Sequence, residues 1–218
     1  FVRSDIRENR QGTPLMLTLK VVNVNSACAP VANAEVEIWH CDAAGDYSQY
    51  GSQTAATFLR GIQTTNAAGE VTFTTIYPGW YMGRTIHIHF RVRTYNGSTV
   101  LSNFVSQIFF DETVNNLVLA QSTYSRTTGR DTTNASDMVY RVANPERMLA
   151  AVTGDLTSGY QAAITVGASF QAPAASAPSI AAGGVTNAAS GAAGVSPGAW
   201  VRKSGFVKES SGKAFVTS

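Results

Sequence analysis

The pattern of hydrophobic and polar residues along the first half of the chain is that of β-strands. Stretches rich in Val, Ile, Thr and aromatic residues, with partial alternation of apolar and polar positions, are typical of strands. We predict strands over PLMLTLKVVNV, AEVEIWH, EVTFTTI, TIHIHFRVRTY and STVLSNFVSQIFF, and a closing strand over GYQAAITVGASF. Turn signals separate several of them, and Asn96-Gly97 indicates a tight hairpin between two of the strands.

Helical signals are few. The segment DETVNNLVLAQSTY starts with acidic residues at Asp111, which suits a helix N-terminus, and NPERMLAAVTG is a second helical candidate. Several short strands with few helices predict an all-β fold of the β-sandwich type.

The composition changes abruptly after Phe170. The stretch QAPAASAPSIAAGGVTNAASGAAGVSPGAW consists mostly of Ala, Gly, Ser and Pro, which bury too little side chain to offset the entropy of ordering. We therefore predict one folded domain over residues 1–170. Residues 171–218 are predicted to be a low-complexity linker followed by a basic tail.

Charge and composition exclude several classes of protein. Of the 218 residues, 44% are hydrophobic and 14% are charged, which is typical of a globular protein. The net charge is only +2 and the basic residues form no stripe, so we expect no nucleic-acid partner. No apolar run approaches the roughly 20 residues that a membrane-spanning helix needs, so we expect no membrane span. The oligomeric state stays open.

The two cysteines, Cys28 and Cys41, lie near the ends of neighbouring predicted strands. A bridge between them would close a short loop and stabilise the fold by about 3 kcal/mol. We predict a Cys28–Cys41 disulfide, the alternative being two reduced thiols. A disulfide favours an exported protein, either secreted or periplasmic, whose signal peptide has been removed.

The candidate chemistry centres on His87 and His89, which flank one isoleucine in a predicted strand. Residues i and i+2 of a strand share a face about 6.6 Å apart, so both imidazoles can bind one metal ion. The alternative is a pair of surface histidines on an edge strand. Tyr81 lies just upstream, after a Pro-Gly turn, and Tyr47 lies in the loop after AEVEIWH.

Tyrosine oxygens would favour a trivalent ion in such a site. A phenol with a pKa of about 10 must lose its proton to bind, which calls for a strong Lewis acid such as Fe(III). Two tyrosinates, two neutral imidazoles and one hydroxide around Fe(III) sum to zero charge, which suits a dry pocket. Neither a zinc motif nor the carboxylate of the Fe(II) facial triad accompanies the histidine pair.

Three segments resemble the intradiol ring-cleavage dioxygenases: VANAEVEIWHCDAAGDYS, FLRGIQTTNAAGEVTFTTIYPGWYMGRTIHIHFRV and VSQIFFDE. The similarity runs from about Val2 to Asp111. It includes the family's Gly-x-Tyr-Ser motif, here residues 45–48, and its Arg-x-x-His-x-His motif, here residues 84–89. The resemblance implies a prealbumin-like β-sandwich that holds non-haem Fe(III). The ligands it implies are Tyr47, Tyr81, His87 and His89.

The resemblance also implies the reaction. A catecholic aromatic is cleaved by O2 between its two hydroxylated carbons, which gives a muconate-type diacid. Tyr81 would leave the metal and act as a base, Arg84 would stabilise the developing anion, and Gln107 would help to orient the substrate. The structural alternatives are a salt bridge for Arg84 and a place in the strand ladder for Gln107.

A competing hypothesis is a non-catalytic prealbumin-like binding or adhesion module, because apolar strands with glycine turns suit any small sandwich. The combination of two tyrosines with His-x-His favours the enzyme. The remaining candidates near the motif are assigned structural roles: His40 as a hydrogen-bonded structural histidine, and Tyr50 and Tyr77 as packing residues.

Overall fold

The computed structural model describes residues 1–142, 145–171, 206–208 and 214–216. The chain divides into one compact unit over Phe1–Pro173 and another over Ala174–Ser218. The strands of the first unit are β1 Pro14–Asn23, β2 Ala29–Pro30, β3 Glu35–Trp39, β4 Arg60–Thr64, β5 Glu70–Ile76, β6 His87–Asn96, β7 Thr99–Phe109, β8 Ala151–Asp155 and β9 Gly159–Ala168. Its helices are α1 Glu112–Leu119 and α2 Met138–Val142, with 3-10 turns at Val24–Ser26, Ser122–Tyr124 and Pro145–Arg147.

Two sheets form this unit. The first has the strand order β2-β1-β9-β8, with β5 also paired to β1, and β1 runs parallel to β9. The second is antiparallel and has the order β4-β3-β6-β7. Both contribute to one hydrophobic core, which contains for example Leu17 and Phe73 of the first sheet and Ile38 and Ile88 of the second. The predicted all-β sandwich is confirmed.

The strands follow the hydrophobic pattern closely. In β1, Leu15, Leu17 and Leu19 are buried at every second position, while Met16 between them is exposed. The predicted hairpin joins β6 and β7 at Asn96, with a shift in the pairing register between Thr94 and Tyr95. The alternation that predicted β1 as a strand thus corresponds to one buried and one more exposed face in the structure.

One predicted helix is confirmed and the other is wrong. The helix α1 begins after Asp111, whose side chain accepts a hydrogen bond from the backbone amide of Thr113. The segment NPERMLAAVTG instead forms a 3-10 turn at Pro145–Arg147 and then strand β8. Pairing of β8 with β9 along Ala151–Asp155 outweighs the helix propensity of its alanines.

The predicted Cys28–Cys41 disulfide is absent. Cys28 is exposed in the loop after β1, in the first sheet, whereas Cys41 is buried just after β3, in the second. The Cys41 thiol donates a hydrogen bond to the carbonyl of Gly79 at 3.4 Å. Strands that are neighbours in sequence thus belong to different sheets. Export of the protein stays a prediction without this support.

The second unit contains strands β10 Phe206–Lys208 and β11 Ala214–Val216, which pair antiparallel. The rest of the predicted linker and basic tail, from residue 172 onward, lies outside the described residues. Among the helices that the structure describes, none is long and apolar enough to cross a membrane.

Candidate active site

The candidate site lies on the face of the second sheet that points away from the core. In β6, Ile88 and Phe90 belong to the hydrophobic core, so His87 and His89 project from the opposite face. His89 pairs with Trp39 of β3 on one side and with Gln107 of β7 on the other. Trp39 in turn pairs with Arg60 of β4. Together these four residues, Arg60, Trp39, His89 and Gln107, form a row across the sheet, which we call the site row.

The two histidines converge. Their Nε2 atoms lie 3.1 Å apart, and only 2% of His87 and 5% of His89 is exposed. His87 Nδ1 donates a hydrogen bond to the carbonyl of Thr85 at 2.7 Å, which leaves a lone pair on Nε2. His89 is held by parallel stacking on Trp39, with ring centroids 5.0 Å apart. Both imidazoles are therefore oriented by their surroundings.

Both candidate tyrosines lie next to the two histidines. Tyr81 Oη lies 3.2 Å from His87 Nε2. The ring of Tyr47 lies edge-on to that of Tyr81, with centroids 5.6 Å apart, and its centroid is 6.0 Å from that of His89. Tyr47 is buried, whereas Tyr81 is only partly buried. The structure thus brings together all four residues that the resemblance implied as ligands.

Two glycines allow the tyrosine-bearing loops to touch. Gly45 has a positive φ of 87°, and a Cβ atom there would lie 2.3 Å from the carbonyl oxygen of Trp80. A Cβ atom on Gly79 would lie 2.5 Å from the carbonyl oxygen of Ala43. Only glycine permits this backbone contact, which fixes the position of Tyr47 relative to Tyr81.

Hydrogen bonds that Asp42 accepts reinforce this contact. Its carboxylate accepts from the amides of Ala44 and Asp46 at 3.0 Å each, and its carbonyl accepts from the amide of Gly79 at 3.1 Å. One residue thereby organises the turn before Tyr47 and links it to the Pro-Gly turn before Tyr81. Sequence reasoning did not single out Asp42, because its role depends on how the loops fold.

Arg60 is a second residue that the sequence analysis missed. It is buried, and its guanidinium donates to the carbonyl of Ser48 through Nη2 at 2.9 Å and to the Ser48 hydroxyl through Nε at 3.0 Å. The hydroxyl of Ser48 donates to the carbonyl of Phe58 at 2.6 Å. The serine of the Gly-x-Tyr-Ser motif thus anchors the backbone next to Tyr47.

Arg84 and Gln107 adjoin the four residues. Arg84 Nη1 lies 3.5 Å from Tyr81 Oη, and Nη2 donates to Gln107 Oε1 at 2.5 Å. Arg84 Nε donates to Asp137 at 2.8 Å, and Asp137 is fully buried. The guanidinium therefore places a positive charge next to the phenol of Tyr81. Asp137 could not be identified from the sequence, because it lies more than fifty positions away from Arg84, in a polar loop.

The other candidates have structural roles. His40 is fully buried, its Nδ1 donates to the carbonyl of Cys41 at 2.8 Å, and its Nε2 hydrogen-bonds to the hydroxyl of Thr75 at 2.7 Å. Burial lowers the pKa of His40 to about 4. Tyr77 is buried and donates to Asn115 at 2.8 Å. The prediction of structural roles for His40 and Tyr77 is confirmed.

The donor set fits a trivalent ion bound by phenolates. Two nitrogens that bind one ion at about 2.1 Å and at a right angle lie about 3 Å apart, close to the Nε2 separation seen here. Among the described residues, no cluster of three or more His, Cys, Asp or Glu could hold a metal. Burial raises the pKa of Tyr47 well above its ordinary value, so its phenol stays protonated unless a cation lies beside it.

Comparison with known proteins agrees with this site. The family model described as Dioxygenase matches residues 2–150. The structure of an intradiol ring-cleavage dioxygenase from Tetranychus urticae shares 32% sequence identity, covers 77% of this chain and 86% of its own, and superposes with a TM-score of 0.70. No curated protein matches the chain.

More distant structures show the same fold. The dioxygenase domain of a dioxygenase carbohydrate-binding protein fusion from Streptomyces sp. SirexAA-E has 24% identity and a TM-score of 0.54, over 77% of this chain and 87% of its own. A 3-chlorocatechol 1,2-dioxygenase from Rhodococcus opacus 1CP has 19% identity and a TM-score of 0.54, over 76% of this chain and 64% of its own. The extent of the family match and the identity to the T. urticae enzyme lead to one conclusion: this chain is an enzyme of the intradiol ring-cleavage dioxygenase family.

Proposed function

We propose that this enzyme is a non-haem Fe(III) dioxygenase that cleaves catecholic aromatics between their two hydroxylated carbons. One molecule of O2 is consumed and both of its atoms enter the product, a muconate-type diacid, so no external reductant is needed. The observation that carries the proposal is the convergence of two imidazoles and two phenols on one buried point beside Arg84.

In this proposal Tyr47, Tyr81, His87 and His89 hold the iron. Bound Fe(III) would accept electron density from a chelated catecholate and so make the ring reactive toward O2. The orientation of His87 by the carbonyl of Thr85 keeps its Nε2 available as a ligand atom. Burial of Tyr47 and both histidines excludes water from this side of the site.

Tyr81 is suited to move a proton. It is the most exposed of the four residues, and its Oη is close to Arg84 Nη1 at 3.5 Å. We assign it the role of base for a substrate hydroxyl, with the nearby guanidinium stabilising negative charge on the phenol oxygen or on the ring. Gln107 holds Nη2 of the same guanidinium, so it acts on the substrate through Arg84.

Iron analysis and a visible spectrum of the purified protein test the proposal. Tyrosinate-to-Fe(III) charge transfer is expected to colour the protein red-brown, and Tyr81→Phe is expected to alter the band. Tyr95→Phe is the matched control, because Tyr95 lies on the strand that carries the histidines and donates to Glu35 at 3.2 Å, away from them.

Oxygen uptake across a panel of substituted catechols then identifies the substrate class. One O2 consumed per ring opened is the expected stoichiometry. A colourless protein that stays iron-free after ferric reconstitution would overturn the proposal and favour a non-catalytic binding module.

A further inference from the structure

Asp137 is a fully buried carboxylate with partners on both of its oxygens. Oδ2 accepts from Arg84 Nε at 2.8 Å and from the amide of Thr85 at 2.9 Å. Oδ1 accepts from the amides of Val139 at 2.8 Å and Tyr140 at 2.9 Å, in the first turn of α2. One side chain therefore joins the start of this helix to the segment that carries Tyr81 and Arg84.

The contact fixes the direction of the Arg84 guanidinium. That group is a rigid planar fork, so holding Nε and one terminal nitrogen determines where the other terminal nitrogen lies. Asp137 holds Nε and Gln107 holds Nη2, and Nη1 is thereby directed to 3.5 Å from Tyr81 Oη.

The contact also sets the charge of the site. Only 4% of Arg84 is exposed, so its positive charge has little water to solvate it. A buried cation without a partner is costly, so a buried arginine needs a carboxylate beside it. The carboxylate of Asp137, 2.8 Å from Arg84 Nε, offsets that charge and allows the guanidinium to stay buried at 3.5 Å from Tyr81 Oη.

We propose that Asp137 is a positioning residue for ring cleavage, which acts through Arg84 by fixing its guanidinium and balancing its charge beside Tyr81. The inference rests on the proposed function of the site. It adds a residue outside the two motifs that identify the family.

The substitution Asp137→Asn separates this role from helix capping. Asparagine caps helices as well as aspartate, so the contacts to the amides of Val139 and Tyr140 can persist. Its amide group cannot accept from Arg84 Nε and the Thr85 amide as the carboxylate does. We expect kcat to fall about 10- to 100-fold with iron content unchanged. The charge-transfer band should move to shorter wavelength, because the unbalanced guanidinium stabilises the phenolate that donates the electron.

Asp131→Asn is the matched control. It makes the same change at an exposed carboxylate that accepts from the amide of Gly83 at 2.9 Å, within the same segment, and it leaves the contact between Arg84 and Asp137 in place. Wild-type kcat and an unshifted band are expected. An equal loss in this variant would mean that the segment is merely fragile, and it would overturn the proposal.

A double-mutant cycle shows whether Asp137 acts through Arg84. In an Arg84→Lys background, the further loss caused by Asp137→Asn should fall to about threefold or less. A full loss in that background, or wild-type kcat and band in the single variant, contradicts the proposal. If the asparagine variant does not fold, Asp137→Ser offers the same cycle, because serine also caps helices.

Hydrogen exchange of the Arg84 Nε–H in the iron-free protein provides a readout independent of catalysis. Slow exchange is expected in the wild type and fast exchange in Asp137→Asn, whereas equal rates would contradict the positioning role. A wild-type protein that stays iron-free after ferric reconstitution would refute the proposed function, while hydrogen exchange would still report on the contact between Asp137 and Arg84. Failure of the inference alone would leave an iron-containing, active wild type.

Discussion

The two sheets of the sandwich bury the same kind of inner face and differ in their outer faces. In the second sheet the site row of Arg60, Trp39, His89 and Gln107 is buried apart from Trp39, which is partly exposed. The corresponding row of the first sheet runs across β5, β1, β9 and β8 and consists of Thr72, Thr18, Ala163 and Ala151. Three of these are exposed and Thr18 is partly exposed.

The difference shows where function resides in this fold. Alternation of apolar and polar residues builds both sheets, and it says nothing about what covers the outer side. Where polar side chains are buried on the outer side, they need partners, and His87 and His89 find them in each other, in Thr85 and in Trp39. A strand that is buried on both faces and yet contains histidine marks the functional sheet.

Replacing His89 by alanine is expected to have the largest effect on the difference between the outer faces of the two sheets. We expect iron affinity to fall by more than the about 10- to 100-fold typical of a residue outside the metal's ligands, while the sandwich stays folded. Arg91→Ala is the control, because Arg91 lies two positions further along the same face of β6 and pairs with Glu37. The iron content of the two purified variants shows whether His89 is needed for iron binding. Equal iron in both variants would show that His89 does not bind the metal.

The next largest effect is expected at the contact between the tyrosine loops. In Gly45→Ala the new Cβ would meet the Trp80 carbonyl, so the loop must shift and carry Tyr47 with it. Gly51→Ala is the matched control, since Gly51 also has a positive φ, of 55°, but a Cβ atom there would meet none of the described residues within 4 Å. Both lose about 1–3 kcal/mol to backbone strain, and only the first should lose iron and colour.

Acid titration distinguishes the structural histidine, His40, from the two histidines of the site, His87 and His89. The folded pKa of His40 is lowered to about 4 from 6.5, so between these values the unfolded chain binds a proton that the folded chain does not. The free energy of unfolding therefore falls as the pH drops from 6.5 to 4, by about 3 kcal/mol in total, because protonation of His40 favours the unfolded chain.

Urea unfolding at pH 7 and pH 4 measures this loss in the iron-free protein. His40→Gln should remove about that amount of the pH dependence, since the carboxylates titrate alike in both proteins. The same pH dependence in both proteins would show that His40 is not the group responsible.

The smallest effect is expected in the row of the first sheet. Thr18→Ala removes an exposed hydrogen bond to Thr72 of 2.9 Å, and surface changes of this kind alter the unfolding free energy by about 0.5 kcal/mol or less. Oxygen uptake should equal that of the wild type. A marked loss of activity would mean that the outer face of the first sheet also contributes to catalysis.

Sequence patterns predicted most of the strands because the alternation within a segment is visible without knowledge of the strand that pairs with it. The bounds of β5, Glu70–Ile76, coincide with the predicted segment EVTFTTI. Such patterns failed at β8, where pairing with β9 decides the structure, and they missed β4, whose RGIQT has no clear alternation. The cysteine pairing failed for a related reason, since proximity in sequence does not determine which sheet a strand joins.

For the site, local motifs located the residues that converge and long-range contacts supplied their support. Tyr47, Tyr81, His87 and His89 were identified from spacing and resemblance. Arg60, Asp42 and Asp137 were not, because a single arginine or aspartate has no sequence signature until its partner is known. Their hydrogen bonds to Ser48, Gly79 and Arg84 exist only in the folded chain.

The shift in register between Thr94 and Tyr95 divides the β6–β7 hairpin into two sections that are paired separately. One section contains His87, His89 and Gln107, and the other contains only the tip around Asn96. An added residue at the tip can therefore be absorbed at the irregularity without displacing the catalytic end. This makes the hairpin tip a suitable place to graft an affinity tag or a fluorescent reporter onto an active enzyme.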